Sequence, residues 1–220
     1  MLNWQEIDTV FLDMDGTLLD LHFDSHFWLE FLPVVYAAKN GMDPDEARIW
    51  LHERIMRETG TLQWYCFDYW SQELGLPITE LKAQVADKIG YRESVPEFLH
   101  RVRLSGRRIV IVTNSHRGGV ELKLKHTQLE GEVYRIISSH DFGVPKEQQA
   151  FWHRLQEVEP FDTQRTLMVD DSLSVLRSAR QYGIAHLLTI AQPDSQQPPR
   201  DLTDCDFQIL NNFSEVFPDI

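Results

Sequence analysis

Four short polar clusters, each beside an apolar run or close to one, hold the residue types that could do chemistry. The clusters are Asp13-Met14-Asp15-Gly16-Thr17, Thr113-Asn114-Ser115, Val144-Pro145-Lys146 and Asp170-Asp171-Ser172. Brought together, the four aspartates of the first and last clusters would repel one another unless protons or a cation bound to them. Ligands that are all oxygen select a hard cation, and Mg²⁺ suits a site that also leaves room for water and an anion. The sequence therefore predicts a Mg²⁺ site, whose ligands would be Asp13, Asp15, Asp170 and Asp171.

The other two clusters add groups that bind anionic oxygens. Lys146 offers a fixed positive charge, Thr113 offers a hydroxyl, and the backbone N–H groups that follow Asp13 and Thr113 can surround an anion. Such donors beside a Mg²⁺ site are typical of phosphoryl transfer. The predicted phosphate-binding residues are Thr113, Asn114 and Lys146. Taken alone, a cluster such as Thr113-Asn114-Ser115 is more commonly a helix cap, and a lone lysine such as Lys146 is more commonly a charge in solvent.

The two aspartates of the first cluster can divide the work of a phosphoryl transfer. Residues i and i+2 at the extended end of a strand point to the same side, so Asp13 and Asp15 would face one site. Asp13 is predicted to attack phosphorus as a carboxylate nucleophile. Asp15 is predicted to protonate the leaving oxygen and then to deprotonate the water that cleaves the aspartyl phosphate.

The elements that must position these clusters are strands of a parallel sheet. Short, continuous apolar runs rich in branched residues are typical of strands buried on both faces. Such runs occur at 10–12, 109–112, 135–137, 166–169 and 186–190. Helical apolar spacing lies between them, so the predicted fold class is α/β, a doubly wound, Rossmann-like parallel sheet. In such sheets ligands bind beyond the carboxyl ends of the strands, where the polar clusters lie.

A long stretch interrupts this alternation between the first two runs. About ninety residues separate them, whereas a simple crossover between parallel strands needs about a dozen. Residues 21–92 have helical apolar spacing and hold 12 of the 24 aromatic residues. The predicted organisation is therefore an α/β core domain of residues 1–20 and 93–220 with an inserted α-helical cap domain of residues 21–92.

The composition of the chain limits the classes of partner that it could bind. The net charge of −13 excludes the basic surface expected of a nucleic-acid-binding protein. The longest stretch without a charged residue is thirteen residues, 181–193, and a membrane span needs about 18 to 20. The spacing of Cys66 and Cys205 matches no metal-binding or disulfide pattern. Such cysteine use is typical of a protein in the reducing cytosol. No secretory signal is expected at the N-terminus. We therefore expect a cytoplasmic protein with a small-molecule substrate, no membrane contact and no obligatory protein partner.

Taken in order, the clusters resemble a known set of motifs. Asp13-Met14-Asp15-Gly16-Thr17-Leu18, Thr113-Asn114, Lys146 and Asp170-Asp171 are similar to the four motifs of the haloacid dehalogenase (HAD) superfamily of phosphatases. The resemblance covers nearly the whole chain, and the insertion resembles that superfamily's helical cap of the first type. It implies Mg²⁺ as cofactor, an aspartyl phosphate at Asp13, acid and base roles for Asp15, phosphate contacts from Thr113 and Lys146, a metal ligand at Asp170 and a water-mediated or supporting role for Asp171. The dehalogenases themselves lack the second aspartate, so Asp15 favours phosphate chemistry.

Further segments resemble the GMP/IMP 5′-nucleotidases of bacteria within that superfamily. They are 12–21, 38–41, 64–66, 68–70 and 113–114 with His116. The resemblance implies hydrolysis of a purine 5′-mononucleotide, GMP or IMP, to nucleoside and phosphate. A purine needs a flat apolar surface and polar groups at its edge. The candidates are Trp64, Tyr65, Tyr69 and Trp70 for stacking, Asp68 for the guanine edge, and His116 for the ribose or phosphate.

Two other functions stay open at this point. A phosphatase for a sugar phosphate or phosphoglycolate would carry the same four motifs, because these recognise only the phosphate. A phospho-accepting signalling receiver domain uses a similar set of residues, but its acidic pair comes first in the chain and it has no cap.

Overall fold

The strands form one six-stranded, fully parallel sheet. The computed structural model describes residues 2–219. The strands are β1 (Thr9–Leu12), β2 (Arg108–Thr113), β3 (Arg135–Ser138), β4 (Thr166–Asp170), β5 (His186–Ile190) and β6 (Gln208–Leu210). Their order across the sheet is β3-β2-β1-β4-β5-β6. The predicted doubly wound parallel sheet is confirmed, and the structure adds β6, which at three residues is too short to stand out in the sequence.

Helices cover both faces of this sheet. Outside residues 21–92 they are α7 (Val95–Leu104), α8 (Arg117–His126), α9 (Leu129–Glu132), α10 (Gln149–Val158) and α11 (Leu173–Tyr182). Alternate residues of β1 pack in different cores: Val10 and Leu12 lie with Phe98 of α7, whereas Phe11 lies with Val175 of α11. This alternation explains the unbroken apolar runs of the central strands, since every position of β1 and β4 is buried on one face or the other.

Residues 21–92 fold almost entirely as helices. They contain α1 (His22–His26), a π-helical turn (Phe27–Phe31), α2 (Leu32–Asn40), α3 (Pro44–Met56), α4 (Leu62–Tyr65), α5 (Phe67–Leu74), α6 (Ile78–Ala83) and a 3₁₀ turn (Ala86–Lys88). They enclose an apolar cluster of their own, which includes Phe23, Leu51 and Trp70. The two ends of the insertion lie side by side, because Asp20 N donates to Gly90 O at 2.9 Å. The division of the chain into a core domain and a cap domain stays a prediction.

Candidate active site

Three neighbouring strands bring the polar clusters to one edge of the sheet. Asp13 directly follows β1, Thr113 is the last residue of β2, and Asp170 is the last residue of β4. Leu12 is paired with Val169 in the β1–β4 register, which sets Asp13 beside Asp170. Because the strands are parallel, their carboxyl ends meet at the same edge, as the sequence predicts.

Lys146 lies at the centre of this edge. Its Nζ donates to Asp13 Oδ1 at 2.6 Å, to Asp170 Oδ2 at 2.7 Å and to Val112 O at 3.0 Å. The side chain is buried, and so are both carboxylates. The backbone of Lys146 is held as well, because its N–H donates to Asn114 Oδ1 at 2.9 Å and its carbonyl accepts from Trp152 Nε1 at 3.0 Å. This ammonium is therefore fixed from several sides, and it orients the two aspartates.

Three of the four predicted aspartates form a group that could hold a metal ion. One carboxylate oxygen each from Asp13, Asp170 and Asp171 lies within 4.8 Å of the others. Burial raises the pKa of Asp13 to about 7, of Asp170 to about 6 and of Asp171 to about 7, against the opposing effect of nearby cations. The group consists of oxygen ligands alone and carries more negative charge than Lys146 balances, so it fits a hard divalent cation.

Gly16 makes room for this group. Its φ is +82°, and a Cβ at this position would lie 2.8 Å from Asp171 Oδ2 and 3.1 Å from Pro193 Cβ. A side chain here would be strained by the backbone conformation and would push against Asp171. Glycine is therefore required for the close approach of the first polar cluster to the last.

Asp15 is not part of the acidic group, although the sequence analysis places it among the metal ligands. Strand β1 ends at Leu12 and the chain turns at Met14, so the expected alignment of residues i and i+2 does not extend this far. Asp15 Oδ1 instead forms an ion pair with Lys123 Nζ at 2.6 Å. Burial raises the pKa of Asp15, and Lys123 acts in the opposite direction. Asp15 still faces the same cleft as the acidic group.

The cleft lies between the sheet edge and the helical insertion, with a volume of about 350 Å³. Its polar wall holds Asp13, Asp15, Thr113, Asn114, Lys146, Asp170 and Asp171. Its opposite wall holds Trp28, Trp64, Tyr65 and Phe67 of the insertion, with Asp24 and Ser25. The volume falls in the range of small-molecule sites. A single cavity thus joins groups that could hold an anion and a metal ion to a wall of aromatic rings.

Residues 7–183 match the family model described as haloacid dehalogenase-like hydrolase. The chain belongs to this hydrolase family. It is also 42% identical over 192 residues to the GMP/IMP nucleotidases YrfG of Escherichia coli K12 and of Shigella flexneri, covering 87% of this chain and 86% of each relative. The predictions of the HAD superfamily, of a hydrolytic enzyme and of a phosphatase are confirmed.

Solved structures agree on the fold of this HAD hydrolase. A HAD phosphatase from Thermococcus onnurineus superimposes with a TM-score of 0.77 at 24% identity, over 95% of each chain. A structure described as a putative beta-phosphoglucomutase from Thermotoga maritima superimposes with a TM-score of 0.65 at 19% identity, over 95% of this chain and 96% of that one. At these identities the likeness shows the fold and not the substrate.

The side chain of Asn114 makes its contacts within the HAD hydrolase, so the phosphate contact predicted for Asn114 would come from its backbone N–H and stays a prediction. Its Nδ2 donates to Glu147 Oε2 at 3.0 Å, while its Oδ1 accepts from the backbone of Lys146. Glu147 Oε1 in turn accepts from the Tyr65 hydroxyl at 2.8 Å. Asn114 therefore positions Lys146 and helps to join the insertion to the core across the cleft. Glu147 is not among the predicted residues, and its place next to Lys146 is the one signal in the sequence that points to it.

Two predicted substrate residues lie outside the cleft. Asp68 has a side chain that is 83% exposed, and its Oδ2 is 3.5 Å from His116 Nε2. Neither residue is among those that line the cavity. His116 caps α8, since its Nδ1 accepts from Gly118 N at 3.2 Å. The structure therefore separates these two residues from the walls where a base or a phosphate could bind.

Two further aromatic candidates belong to the packing of the insertion. Trp70 is fully buried, and its Nε1 donates to Trp64 O at 3.1 Å. The Tyr69 hydroxyl lies within hydrogen-bonding distance of Arg54 and donates to Glu58. Trp28, which is not among the predicted substrate residues, lines the cleft. Among residues 2–219, no helix has both the length and the hydropathy to cross a membrane.

Proposed function

We propose that this HAD phosphatase is a Mg²⁺-dependent 5′-nucleotidase that hydrolyses GMP and IMP through an aspartyl phosphate at Asp13. The observation that carries the proposal is the two-sided cleft, with buried carboxylates and Lys146 on one wall and aromatic rings of the insertion on the other. The 42% identity to nucleotidases that are named for GMP and IMP supports the choice of substrate. The cytosolic location stays a prediction, supported by the two free cysteines.

The first half-reaction transfers the phosphoryl group to the protein. An oxygen of Asp13 forms a bond to phosphorus while the bond from phosphorus to the nucleoside O5′ breaks. Asp15 gives its proton to O5′, and the nucleoside leaves. Lys146 holds Asp13 in place for this attack, and Thr113 lies at the same edge, within reach of the phosphoryl oxygens.

The second half-reaction restores the protein. Asp15, now a carboxylate, takes a proton from water while the water oxygen bonds to phosphorus and the bond to Asp13 breaks. Inorganic phosphate leaves. Mg²⁺ bound by Asp13, Asp170 and Asp171 would supply Lewis-acid neutralisation of the phosphoryl charge and of the carboxylates themselves.

The base would lie against the insertion. Trp28, Trp64 and Tyr65 offer flat apolar surfaces of the kind that a purine stacks on. The Tyr65 hydroxyl donates to Glu147, which holds the ring in the wall of the cleft. GMP and IMP share the purine N1–H and the carbonyl and differ in one exocyclic amine, so binding by stacking would accept both.

The test is phosphate release with Mg²⁺ from a panel of esters. The panel contains GMP, IMP, AMP, pyrimidine 5′-monophosphates, a sugar phosphate and phosphoglycolate. We expect GMP and IMP to have the highest kcat/KM. A leading sugar phosphate or phosphoglycolate would leave the phosphatase in place but overturn the nucleotidase. Activity that persists in EDTA would overturn the dependence on Mg²⁺.

A further inference from the structure

A chain of four buried or half-buried charges runs from Asp15 into the insertion. Lys123 Nζ lies 2.6 Å from Asp15 Oδ1 and 2.9 Å from Asp24 Oδ2. Asp24 is also paired, through its other oxygen, with Lys82. We call these four residues the charge chain. It contains two cations and two carboxyl groups in alternating order, so each carboxyl group has a cation beside it.

The burial of its two lysines sets the charge chain apart from surface ion pairs. The side chain of Lys82 is fully buried and that of Lys123 is 2% exposed. The Lys82 ammonium is 4.6 Å from the ring centre of Phe23 and 4.7 Å from that of Phe27. Placing such ions away from water is costly unless each has a partner, and removal of one partner is strongly destabilising. In this arrangement each lysine therefore depends on its carboxyl partner.

The charge chain crosses from the core to the insertion at Lys123. Asp15 follows β1 and Lys123 lies on α8, and both belong to the sheet-bearing part of the chain, whereas Asp24 lies on α1 of the insertion. The two parts are also closely packed beside it, since a Cβ on Gly119 of α8 would lie 3.0 Å from the Phe67 ring. The Lys123 ammonium thus has one partner on each side of this boundary.

We propose that Lys123 is a positioning residue for Asp15, and that Asp24 makes this positioning depend on the docked insertion. Lys123 holds the Asp15 carboxyl toward the cleft, and Asp24 holds Lys123. Proton transfer between Asp15 and the leaving oxygen is then efficient only while α1 lies against α8, that is, while the cleft is closed around a substrate. The inference rests on the proposed function, because it assigns Lys123 a task in that reaction.

A comparison of two leaving groups distinguishes a role of Lys123 in positioning Asp15 from a purely structural role. p-Nitrophenolate departs without needing a proton, whereas the alkoxide of a nucleoside 5′-phosphate needs one from Asp15. The value of kcat/KM reports the steps up to formation of the phosphoenzyme, so it isolates the transfer that involves the leaving oxygen. A loss of positioning at Asp15 must therefore reduce kcat/KM for GMP much more than for p-nitrophenyl phosphate.

The experiment compares Lys123→Met with the wild type on both esters. General acid catalysis contributes about 100-fold or more, so we expect kcat/KM for GMP to fall by about 30- to 100-fold and that for p-nitrophenyl phosphate by less than about 5-fold. Lys125→Met is the matched control, because Lys125 is an exposed residue of the same helix. Lys123→Arg should restore most of the rate on GMP, since it keeps the cation.

Substitution of Asp24 tests whether the positioning of Asp15 depends on the insertion. Asp24→Asn should give the same preference for the good leaving group as Lys123→Met. If Asp24 acts through Lys123, its replacement in the Lys123→Met background should cause little further loss, because contacting residues of one network are not additive. If kcat/KM for GMP in the double variant fell by the product of the two single losses, this link would be refuted.

The possible failures can be told apart. A wild-type protein that hydrolyses neither ester overturns the proposed function and the inference together. An active wild type in which Lys123→Met lowers both esters equally overturns the inference alone. Should Lys123→Met fail to fold, the comparison of Lys123→Arg with Asp24→Asn decides: the inference requires that the first keep, and the second lose, the rate on GMP relative to p-nitrophenyl phosphate.

Discussion

The three clustered aspartates, Asp13, Asp170 and Asp171, should make the stability of the folded protein depend on both pH and Mg²⁺. Burial raises the pKa of Asp13 from 3.8 to about 7. Between these values the folded state binds more protons than the unfolded chain, so its stability falls as the pH rises. For Asp13 alone the free energy of unfolding should drop by about 3 kcal/mol from about pH 5 to about pH 8 in the absence of metal.

Mg²⁺ should reverse this loss. A ligand that binds only the folded state at about 100 times its Kd stabilises it by about 2.7 kcal/mol. At low pH protons compete for the same oxygens, so the gain from Mg²⁺ should be small there and grow toward neutral pH. The assay is urea denaturation across this pH range, with EDTA and with Mg²⁺.

Asp13→Asn is the variant that isolates the effect. It removes one titrating carboxylate and keeps the shape, so the share of the pH-dependent loss that belongs to Asp13 and much of the Mg²⁺ gain should disappear. Asp170 and Asp171, whose pKa values burial also raises, keep their own shares in both proteins. His140, whose pKa burial lowers to about 4, changes stability in the opposite direction over this range. Because His140 is present in both proteins, its contribution to the free energy of unfolding drops out of the difference between wild type and variant. Asp87→Asn, at an exposed position, is the control. Equal pH profiles in wild type and Asp13→Asn would refute the reasoning.

Three other changes test separate parts of the site. Lys146→Met leaves its two buried carboxylate partners without a cation and should lower the free energy of unfolding by about 3–5 kcal/mol in urea denaturation. A loss no larger than that of a surface substitution would contradict the central place of this ammonium. Gly16→Ala should weaken Mg²⁺ binding in titration calorimetry by displacing Asp171, whereas Gly131→Ala, where nothing lies within 4 Å of the added Cβ, should not. Unchanged affinity in the first variant would show that the loop adapts. Trp64→Ala should raise KM for GMP more than for p-nitrophenyl phosphate, and an equal rise would remove the ring from base recognition.

Much of this arrangement could be predicted because it depends on local signals. The apolar runs before Asp13, Thr113 and Asp170 are strands buried on both faces, and parallel strands must end at one edge. The long gap between the first two strands indicates the insertion. Lys146 could be placed only through its order among the motifs, since nothing next to it in sequence shows that it reaches two aspartates.

The remainder depends on packing between distant segments. Lys82 and Lys123 look like ordinary solvated lysines, because helix sequence does not reveal which charge finds a buried partner. Lys123 is three residues after buried Val120 on α8, and this spacing is the one signal that it shares the buried face. The position of Trp28 in the cleft and that of Asp68 outside it could not be predicted for the same reason: which side of a short helix faces the cleft is decided by neighbouring helices.

The central claim is that Asp13 carries the phosphoryl group during hydrolysis of a purine nucleotide. The most direct measurement is peptide mass spectrometry on protein quenched in acid during turnover of GMP with Mg²⁺. We expect a phosphoryl group on the peptide that contains Asp13 and none in Asp13→Asn, whose turnover is also lost. Steady turnover of GMP with no phosphorylated peptide, or with Asp13→Asn still active, would contradict it.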